Sequence, residues 1–351
     1  MIKQIRRVSI IGMGALGIMY GYFLSKSLKD IKLTFVADRE RQKAYEKEGI
    51  FFNDKRQDFD FMAPDEKPEE PAELFIFAVK GTALDRAIED ARNQIGPDTV
   101  IISVLNGLTS EELISKAFGG NNVLYCEVEG TDATRTGHSV RCSHGGKIVV
   151  GIPADEFEKR PVLERLMLFF QEASLAYVHD TDIRHRLYSK WMLNVGVNQT
   201  VMVYGGTYGT VQKPGEARDT MIAAMREAMM VARKERVPVS DDDLKGYVRL
   251  IDGLDPEGMP SMRQDGLAHR RSEVALFAGT VLNKAEKLGL DVPVNRELFR
   301  RITEREKAYS TAAFFRRIGR RAYGISSSPG FFVPPAVFSV FSFAIGRICS
   351  T

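Results

Sequence analysis

Three polar residues, Lys190, Asn194 and Asn198, recur every four positions in an otherwise apolar segment of this chain. That spacing places them on one face of a helix, and a helix that is apolar on its other faces is expected to be buried. A buried polar group without a partner costs about 1–3 kcal/mol. The stripe therefore needs partners, which a pocket for a small polar substrate would supply. The alternative is a structural lysine with two asparagines that are satisfied in the core.

A second set of polar residues follows at Ser261 and Glu273, twelve positions apart. On one straight helix they would be separated by about 18 Å, at about 1.5 Å per residue, which is too far to hold the same small acid. If both are functional, Ser261 lies in the loop or cap before the helix that carries Glu273, and Pro260 is compatible with such a loop. A solvated charge on a helix surface is the other interpretation of Glu273.

A glycine-rich segment near the amino terminus predicts a dinucleotide site. It follows a β-branched run at residues 8–11 and precedes an apolar, helix-like segment. In this arrangement the glycines permit a tight turn, close approach of a pyrophosphate and close packing of helix on strand, while the helix N-terminus attracts phosphate. The residues predicted to bind the cofactor here are Gly12, Met13, Gly14, Ala15, Leu16 and Gly17. A glycine-rich turn in a ligand-free α/β domain is the alternative.

The acid Asp38 ends the second predicted strand, 21 residues beyond Gly17. An acid at this position accepts hydrogen bonds from the ribose 2′-hydroxyl of NAD and repels the 2′-phosphate of NADP. Arg39 and Arg41 follow directly, and a guanidinium group suits a phosphate. The residues alone therefore leave the choice between NAD(H) and NADP(H) open.

Two further candidates, Lys80 and Asn106, follow the third and fourth predicted strands. In a doubly wound sheet the carboxyl ends of the strands face the ligand crevice, so both residues are site candidates by position. The alternatives are a surface lysine and an ordinary Asn–Gly turn.

These residues require an α/β domain followed by a helical one. Near-continuous apolar runs alternate with helix-length segments in the first part of the chain, which indicates a Rossmann-type doubly wound parallel sheet. Helical patterns dominate afterwards, over residues 187–203, 218–235 and 271–288. The predicted units are a dinucleotide-binding domain at residues 1–182, an all-α substrate domain at residues 183–312 and an extension of unknown role at residues 313–351.

The extension includes an uncharged stretch at residues 322–346. Its apolar part is shorter than the roughly 20 residues that a membrane-spanning helix needs. We expect a flexible or packed extension without a membrane partner, and contact with a membrane surface is the alternative.

Composition excludes several other classes. The net charge of +3 results from 49 Lys and Arg against 46 Asp and Glu, which gives no basis for binding nucleic acid. Three cysteines without a CxxC pair cannot form a disulfide framework, and they predict a reducing, cytoplasmic compartment. The five histidines do not have metal-ligand spacing, so no metal site is expected.

Taken together, these motifs resemble the ketopantoate reductases (2-dehydropantoate 2-reductases) over roughly residues 5–310. The family's GxGAxG motif matches residues 12–17, its strand-end lysine matches Lys80, and its Asn-Gly pair matches Asn106. Its catalytic lysine with two asparagines matches Lys190, Asn194 and Asn198. Its Ser-Met-x-Gln-Asp motif matches residues 261–265, and its downstream glutamate matches Glu273. Where the family often carries Asp and Asn after that glutamate, this chain has Ala275 and Ala278. This departure leaves the 2-oxo acid open.

The resemblance implies hydride transfer to C2 of 2-dehydropantoate, giving (R)-pantoate for pantothenate and coenzyme A synthesis. It favours NADP(H) over NAD(H). Lys190 would be the general acid, and Glu273 would bind the substrate hydroxyl or hold Lys190. The substrate-binding residues would be Asn106, Asn194, Asn198 and Ser261, with Ser261 on the carboxylate. Asp38, Arg39, Lys80 and Asn106 would lie on the cofactor side.

Two other functions remain open. One is an NAD(P)-dependent reductase of another 2-oxo acid. The other is a non-catalytic dinucleotide-binding sensor or interaction protein. A cleft between two domains would close on its ligand, and a homodimer is possible.

Overall fold

The computed structural model describes residues 3–323, with the side chains of residues 3–309. The chain divides after Glu304 into two units. Of the second unit, residues 305–323 are described and are helical. The predicted extension lies outside the described residues from residue 324 onward. The boundary near residue 182 stays a prediction.

The strands of the described residues form a main sheet and a smaller one. In chain order they are β1 (Arg7–Ile11), β2 (Lys32–Val36), β3 (Ile50–Phe52), β4 (Lys55–Gln57), β5 (Asp60–Met62), β6 (Ala72–Phe77), β7 (Ile95–Ser103), β8 (Val123–Thr131), β9 (Thr134–Thr136), β10 (Ser139–Arg141), β11 (Gly145–Gly151) and β12 (Tyr177–His179). The main sheet has the order β12-β11-β8-β7-β6-β1-β2-β5, and the smaller one has the order β4-β3-β10-β9.

The main sheet confirms the predicted Rossmann-type fold at its centre. Strands β8, β7, β6, β1, β2 and β5 run parallel, with Ile10 of β1 between Phe35 of β2 and Ile76 of β6. These three side chains are buried in the core. The prediction of a parallel sheet was wrong at one place, because β11 pairs antiparallel with β8. A parallel return needs a long crossover, usually a helix, whereas this connection carries only the short strands β9 and β10.

Helices cover the sheet and build the second half of the chain. The α-helices are α1 (Ala15–Ser27), α2 (Arg39–Glu48), α3 (Leu84–Ala91), α4 (Ser110–Phe118), α5 (Arg160–Glu172), α6 (Ile183–Tyr204), α7 (Tyr208–Gln212), α8 (Glu216–Lys234), α9 (Asp241–Asp252), α10 (Ser261–Leu267), α11 (Thr280–Leu288) and α12 (Pro293–Tyr323). Shorter 3₁₀ turns lie at Gly81–Ala83 and Ala154–Lys159, and one π-helical turn lies at Ala275–Gly279. In the part of the chain that the structure describes, no helix has both the length and the apolar character needed to span a membrane.

Helix α6 is the centre of the helical half. Its apolar residues are buried, Trp191 and Val195 among them, and it contacts α8, α9 and α10. A Cβ atom on Gly196 would lie 2.3 Å from Met225 Cγ of α8. The small residue therefore allows the two helices to approach closely. The predicted helices at residues 187–203 and 218–235 are confirmed as α6 and α8.

The predicted helix at residues 271–288 was wrong in its first part. Residues 271–274 are not helical, and the π-helical turn follows before α11 begins. Side chains of α6 bind the backbone of this turn: Trp191 Nε1 donates to Leu276 O at 3.0 Å, and Gln199 Oε1 accepts from Ala278 N at 2.9 Å. These tertiary hydrogen bonds stabilise a wider turn than the local sequence predicts.

Candidate functional site

The glycine loop after β1 is shaped by backbone contact with the end of β6. Gly12 has φ +110°, and a Cβ atom there would lie 2.5 Å from the Ala78 carbonyl group. Gly14 is the N-cap of α1 and has no side chain to fill the space in front of the helix N-terminus. The first amide groups of α1 therefore face an open position. Free N–H groups at a helix N-terminus suit a pyrophosphate, so the loop fits a dinucleotide.

Gly17 is the position in this loop where a side chain would be tolerated least. A methyl group in Gly17→Ala would lie 1.9 Å from the Gly12 carbonyl oxygen, which is a backbone atom and cannot move aside alone. We expect the free energy of unfolding to fall by about 1–3 kcal/mol, as for overpacked cores. We also expect weaker NADH binding, because the loop must shift. Urea denaturation and calorimetric titration measure the two effects.

The matched control for that variant is Gly246→Ala. Gly246 lies within α9, and the nearest atom to its added Cβ would be 4.0 Å away. Replacing a helical glycine by alanine should leave stability unchanged or raise it by up to about 1 kcal/mol. Equal losses in both variants would contradict the packing argument.

Arg135 contacts the glycine loop but was not among the predicted site residues. Arg135 on β9 donates a hydrogen bond from its guanidinium group to Met13 O, within the loop. This contact brings a positive charge beside the position suited to a pyrophosphate. No motif in the sequence indicates this contact, because β9 belongs to the smaller sheet, which was not predicted.

The ribose end of the predicted cofactor site lies after β2. Asp38 caps α2, with its Oδ1 accepting from Arg41 N at 2.9 Å, and its Oδ2 lies 3.3 Å from Arg41 Nε. The Arg39 guanidinium group binds two carboxylates: its Nη1 donates to Asp65 at 2.6 and 2.7 Å, and its Nη2 donates to Glu66 at 3.1 Å. The hydrogen bond from Arg39 holds the pKa of Asp65 below its usual value. The carboxylates at this end therefore outnumber the two guanidinium groups that they bind.

The polar stripe of α6 reaches a pocket at the carboxyl end of the sheet. The pocket is lined by Leu105, Asn106, Gly107, Glu127, Leu187, Lys190, Trp191 and Asn194. Lys190 Nζ donates to Val128 O at 2.5 Å, and Asn194 Oδ1 accepts from Asn198 Nδ2 at 3.0 Å. Three predicted residues from two distant segments thus share one pocket, and Asn198 joins them through Asn194.

Glu273 belongs to the same region through Asn106, whose Nδ2 donates to Glu273 Oε2 at 3.3 Å. Burial raises the pKa of Glu273, while the hydrogen bond from Asn106 and the charge of Lys80 act in the opposite direction. A carboxyl group with a raised pKa can keep its proton and donate a hydrogen bond. In this structure Glu273 contacts Asn106, whereas Lys190 contacts Val128 and Glu127.

Lys80 connects the end of the sheet to the helical half. Its Nζ donates to both carboxylate oxygens of Asp265 on α10 at 2.5 Å. Arg270 Nε donates to the same carboxylate at 2.9 Å. Asp265 is buried and meets two cations, so this ion pair fixes α10 against the strand end.

Ser261 is the one predicted substrate residue that lies apart from this network. It is exposed at the first residue of α10, and a non-helical stretch separates it from Glu273. The predicted break between the two is therefore present. Among the described residues, no hydrogen bond joins Ser261 to the pocket residues.

Leu276, in the π-helical turn just after Glu273, fills a space between two strand ends. A Cβ atom on Gly81 would lie 2.4 Å from Leu276 Cδ1, and one on Gly107 would lie 3.4 Å from Leu276 Cβ. Glycine at both positions therefore admits the leucine side chain. By contrast, Ala275 is exposed and Ala278 is buried in the helical core, and neither is among the pocket-lining residues.

Glu127 on β8 is a pocket residue that sequence reasoning missed. Its side chain is 3% exposed, and its Oε2 lies 3.8 Å from Lys190 Nζ. Burial raises the pKa of Glu127 to about 8, against the effect of Lys190 and with a further rise from Glu129. The apolar run that predicts this strand covers only residues 123–126, whereas β8 continues to Thr131. Glu127 directly follows that run, and its position next to a buried strand is the signal that could have found it.

Comparison with known families gives two matches along the chain. The model described as Ketopantoate reductase PanE/ApbA matches residues 8–155, and the model described as Ketopantoate reductase PanE/ApbA C terminal matches residues 182–306. A 2-dehydropantoate 2-reductase of Streptococcus pyogenes serotype M1 is 25% identical over 293 residues, covering 82% of this chain and 94% of the relative.

Solved structures share the fold over nearly their whole length. D-mandelate dehydrogenase with NADH and anilino(oxo)acetate has a TM-score of 0.76 at 21% identity, covering 87% of this chain and 99% of that one. A dimeric ketopantoate reductase from Staphylococcus aureus has a TM-score of 0.72 at 20% identity, covering 86% and 99%.

Proposed function

Because this chain belongs to the ketopantoate reductase family, we propose that it reduces 2-dehydropantoate to (R)-pantoate, a step of pantothenate and coenzyme A synthesis. The chain is an NAD(P)-dependent oxidoreductase that acts on a CH–OH group. The observation that carries the proposal is the shared pocket of Asn106, Lys190 and Asn194 at the carboxyl end of the sheet. Ligands of open α/β sheets bind at this end.

The reaction assigns a proton-donating role to Lys190. A nicotinamide cofactor held by the glycine loop would supply the hydride, and negative charge would develop on the oxygen at C2 of the substrate. A positioned ammonium group stabilises that charge and donates the proton. Lys190 lies in the pocket, and the hydrogen bond to Val128 O holds its Nζ in place. The ammonium group is therefore already oriented before the substrate binds.

The remaining polar residues orient the substrate. Asn194 is held by Asn198, and Asn106 is held by Glu273, so each pocket amide has a fixed direction. Glu273, buried beside Asn106, can form a hydrogen bond with a substrate hydroxyl. Ser261 is exposed at the first residue of α10, so its hydroxyl group is accessible to a substrate carboxylate.

For the cofactor we propose NADH, although the family resemblance favours NADPH. Asp38 lies where the ribose hydroxyls would bind, and a carboxylate there disfavours a 2′-phosphate. Arg39 could attract that phosphate, but Asp65 and Glu66 already hold its guanidinium group. The D-mandelate dehydrogenase neighbour, which also binds NADH, gives further support.

A second candidate is the reduction of another 2-oxo acid with a bulkier apolar side chain. Leu105, Leu187 and Trp191 form the apolar part of the pocket wall, beside its polar residues. D-mandelate dehydrogenase, a structural neighbour, binds the aromatic ligand anilino(oxo)acetate. An aromatic 2-oxo acid would suit such a wall.

A substrate panel tests these alternatives. The purified protein is incubated with 2-dehydropantoate, phenylglyoxylate, 2-oxoisovalerate or pyruvate, each with NADH and NADPH, while cofactor oxidation is followed by absorbance. We expect the highest kcat/KM with 2-dehydropantoate and NADH, and (R)-pantoate as the product on a chiral column. A higher kcat/KM with another acid would favour the second candidate. Cofactor binding without oxidation by any acid would overturn both.

The Staphylococcus aureus neighbour is dimeric, which supports a homodimer as the assembly of this chain. Light scattering at the concentration used for the assays would measure the mass of the particle. A mass of one chain would contradict this part of the proposal.

A further inference from the structure

Glu127 is a buried carboxyl group that the proposed reaction does not yet use. It projects from β8 into the same pocket as Lys190, Asn106 and Asn194. Among the described residues, no hydrogen bond joins the Glu127 carboxyl group to Lys190 or to another basic group, while the Glu129 carboxyl group lies within hydrogen-bonding reach on the same strand. A buried acid without a basic hydrogen-bond partner costs free energy, so its presence beside the pocket lysine requires an explanation.

A purely structural ion pair explains this geometry poorly. Lys190 already has a hydrogen-bond partner in Val128 O, at 2.5 Å. Its distance to Glu127 Oε2 is 3.8 Å, at the outer limit of an ion pair. A small rotation of either flexible side chain would bring the two groups into hydrogen-bond contact, at about 2.8 Å.

The other charges near Glu127 come from three elements. Lys190 and Arg186 face it from α6, while Glu129 and Cys126 are its neighbours on β8. Tyr247 of α9 is also close enough to interact with it electrostatically. Burial outweighs the two cations and, with Glu129, raises the pKa of Glu127 to about 8. At neutral pH the carboxyl group therefore holds a proton.

We propose that Glu127 returns a proton to Lys190 after each reduction. In the first step the Lys190 ammonium loses a proton to the alkoxide at C2, so that an N–H bond breaks and the product O–H bond forms. The Glu127 carboxyl then donates its proton to the neutral amine of Lys190. Glu127 is left as a carboxylate and recovers its proton from water when the pocket opens for product release.

This inference rests on the proposed function, since it requires Lys190 to give up a proton during reduction. Glu127 acts through Lys190 and makes no contact with the reacting carbon. Its role is therefore separable from substrate binding, and its loss should change kcat and the pH profile more than KM.

The test compares Glu127→Gln with Glu127→Asp and with Glu111→Gln. Glutamine keeps the size of the side chain but carries no acidic proton, whereas aspartate keeps an acid on a shorter chain. Glu111 is the matched control: it is buried, and burial raises its pKa to about 7, but it binds Ser110 and is not a pocket-lining residue. Steady-state reduction is measured from pH 6 to 9 with saturating NADH, and thermal melts confirm folding.

We expect Glu127→Gln to lower kcat by about 10- to 100-fold, toward the range of a lost acid–base group, with KM changed less than threefold. In the native chain kcat should fall as pH rises through about 8, because Glu127 loses its proton there. That inflexion should be absent in Glu127→Gln and present in Glu111→Gln. Glu127→Asp should retain an inflexion and an intermediate kcat.

Two results would overturn the inference. If the native chain reduces a 2-oxo acid and Glu127→Gln keeps its kcat within threefold or keeps the inflexion, Glu127 does not return the proton, and the proposed function stands. If the native chain reduces none of the panel, the proposed function fails and this inference fails with it.

Discussion

Lys190→Ala is expected to lower kcat for 2-oxo acid reduction by about 10²–10⁴-fold, the usual contribution of a general acid. The variant removes the ammonium group that would stabilise the charge at the substrate oxygen and donate the proton. NADH affinity should stay within threefold, because the glycine loop and Asp38 are formed by other elements. Stopped-flow or steady-state assays give kcat, and fluorescence titration gives the affinity for NADH.

The control is Lys147→Ala on β11. Lys147 lies 3.6 Å from Glu129 and is half-exposed, so it tests the loss of a nearby positive charge without loss of the proton donor. Its kcat should remain within threefold of the native value. A Lys190→Ala variant that retains kcat within a few-fold would exclude the general-acid role.

Cofactor choice should depend on Asp38 and on the acids that hold Arg39. The native chain is expected to use NADH with a kcat/KM about 10²-fold above that for NADPH. A carboxylate about 4 Å from a 2′-phosphate would cost about 1 to 4 kcal/mol, depending on solvent exposure. Asp38→Ser should remove most of this preference by weakening NADH use and relieving the repulsion of NADPH.

The double variant Asp65→Asn with Glu66→Gln tests the second half of the argument. It leaves Asp38 unchanged but frees the Arg39 guanidinium from both of its acidic partners. We expect kcat/KM with NADPH to rise about tenfold while kcat/KM with NADH stays constant. The reason is that the freed Arg39 guanidinium group can bind the 2′-phosphate, which NADPH carries and NADH lacks. Asp58→Asn, at a position that is 94% exposed, is the control. A native preference for NADPH would refute the assignment.

The glycine loop and the polar stripe of α6 could be located from the sequence because each depends on one short segment. Strand, glycines and helix follow one another between β1 and α1, and a period of four residues is sufficient to align Lys190 with Asn194. Local pattern therefore predicted the two halves of the site. The α6 residues and Asn106 line the same pocket because Asn106 lies at the end of a strand in the main sheet.

The residues that were missed depend on pairings between distant segments. Arg135 reaches Met13 across 122 positions in the sequence, and it does so from a sheet too short to predict. Glu127 lies near Lys190 only because β8 contacts α6 in the fold. The helix prediction failed at residues 271–279 for the same reason, because Trp191 and Gln199 of α6 form hydrogen bonds with the backbone of this segment. Long-range hydrogen bonds of this kind leave no periodic signal.

The contact of Leu276 with Gly81 and Gly107 couples three positions that lie far apart along the chain. A side chain at position 81 would occupy the space that now holds the leucine, so such a change requires Leu276 to rotate away or to be replaced by a smaller residue. Among related sequences, these positions should therefore covary, with glycine at 81 wherever a branched side chain follows the glutamate by three residues.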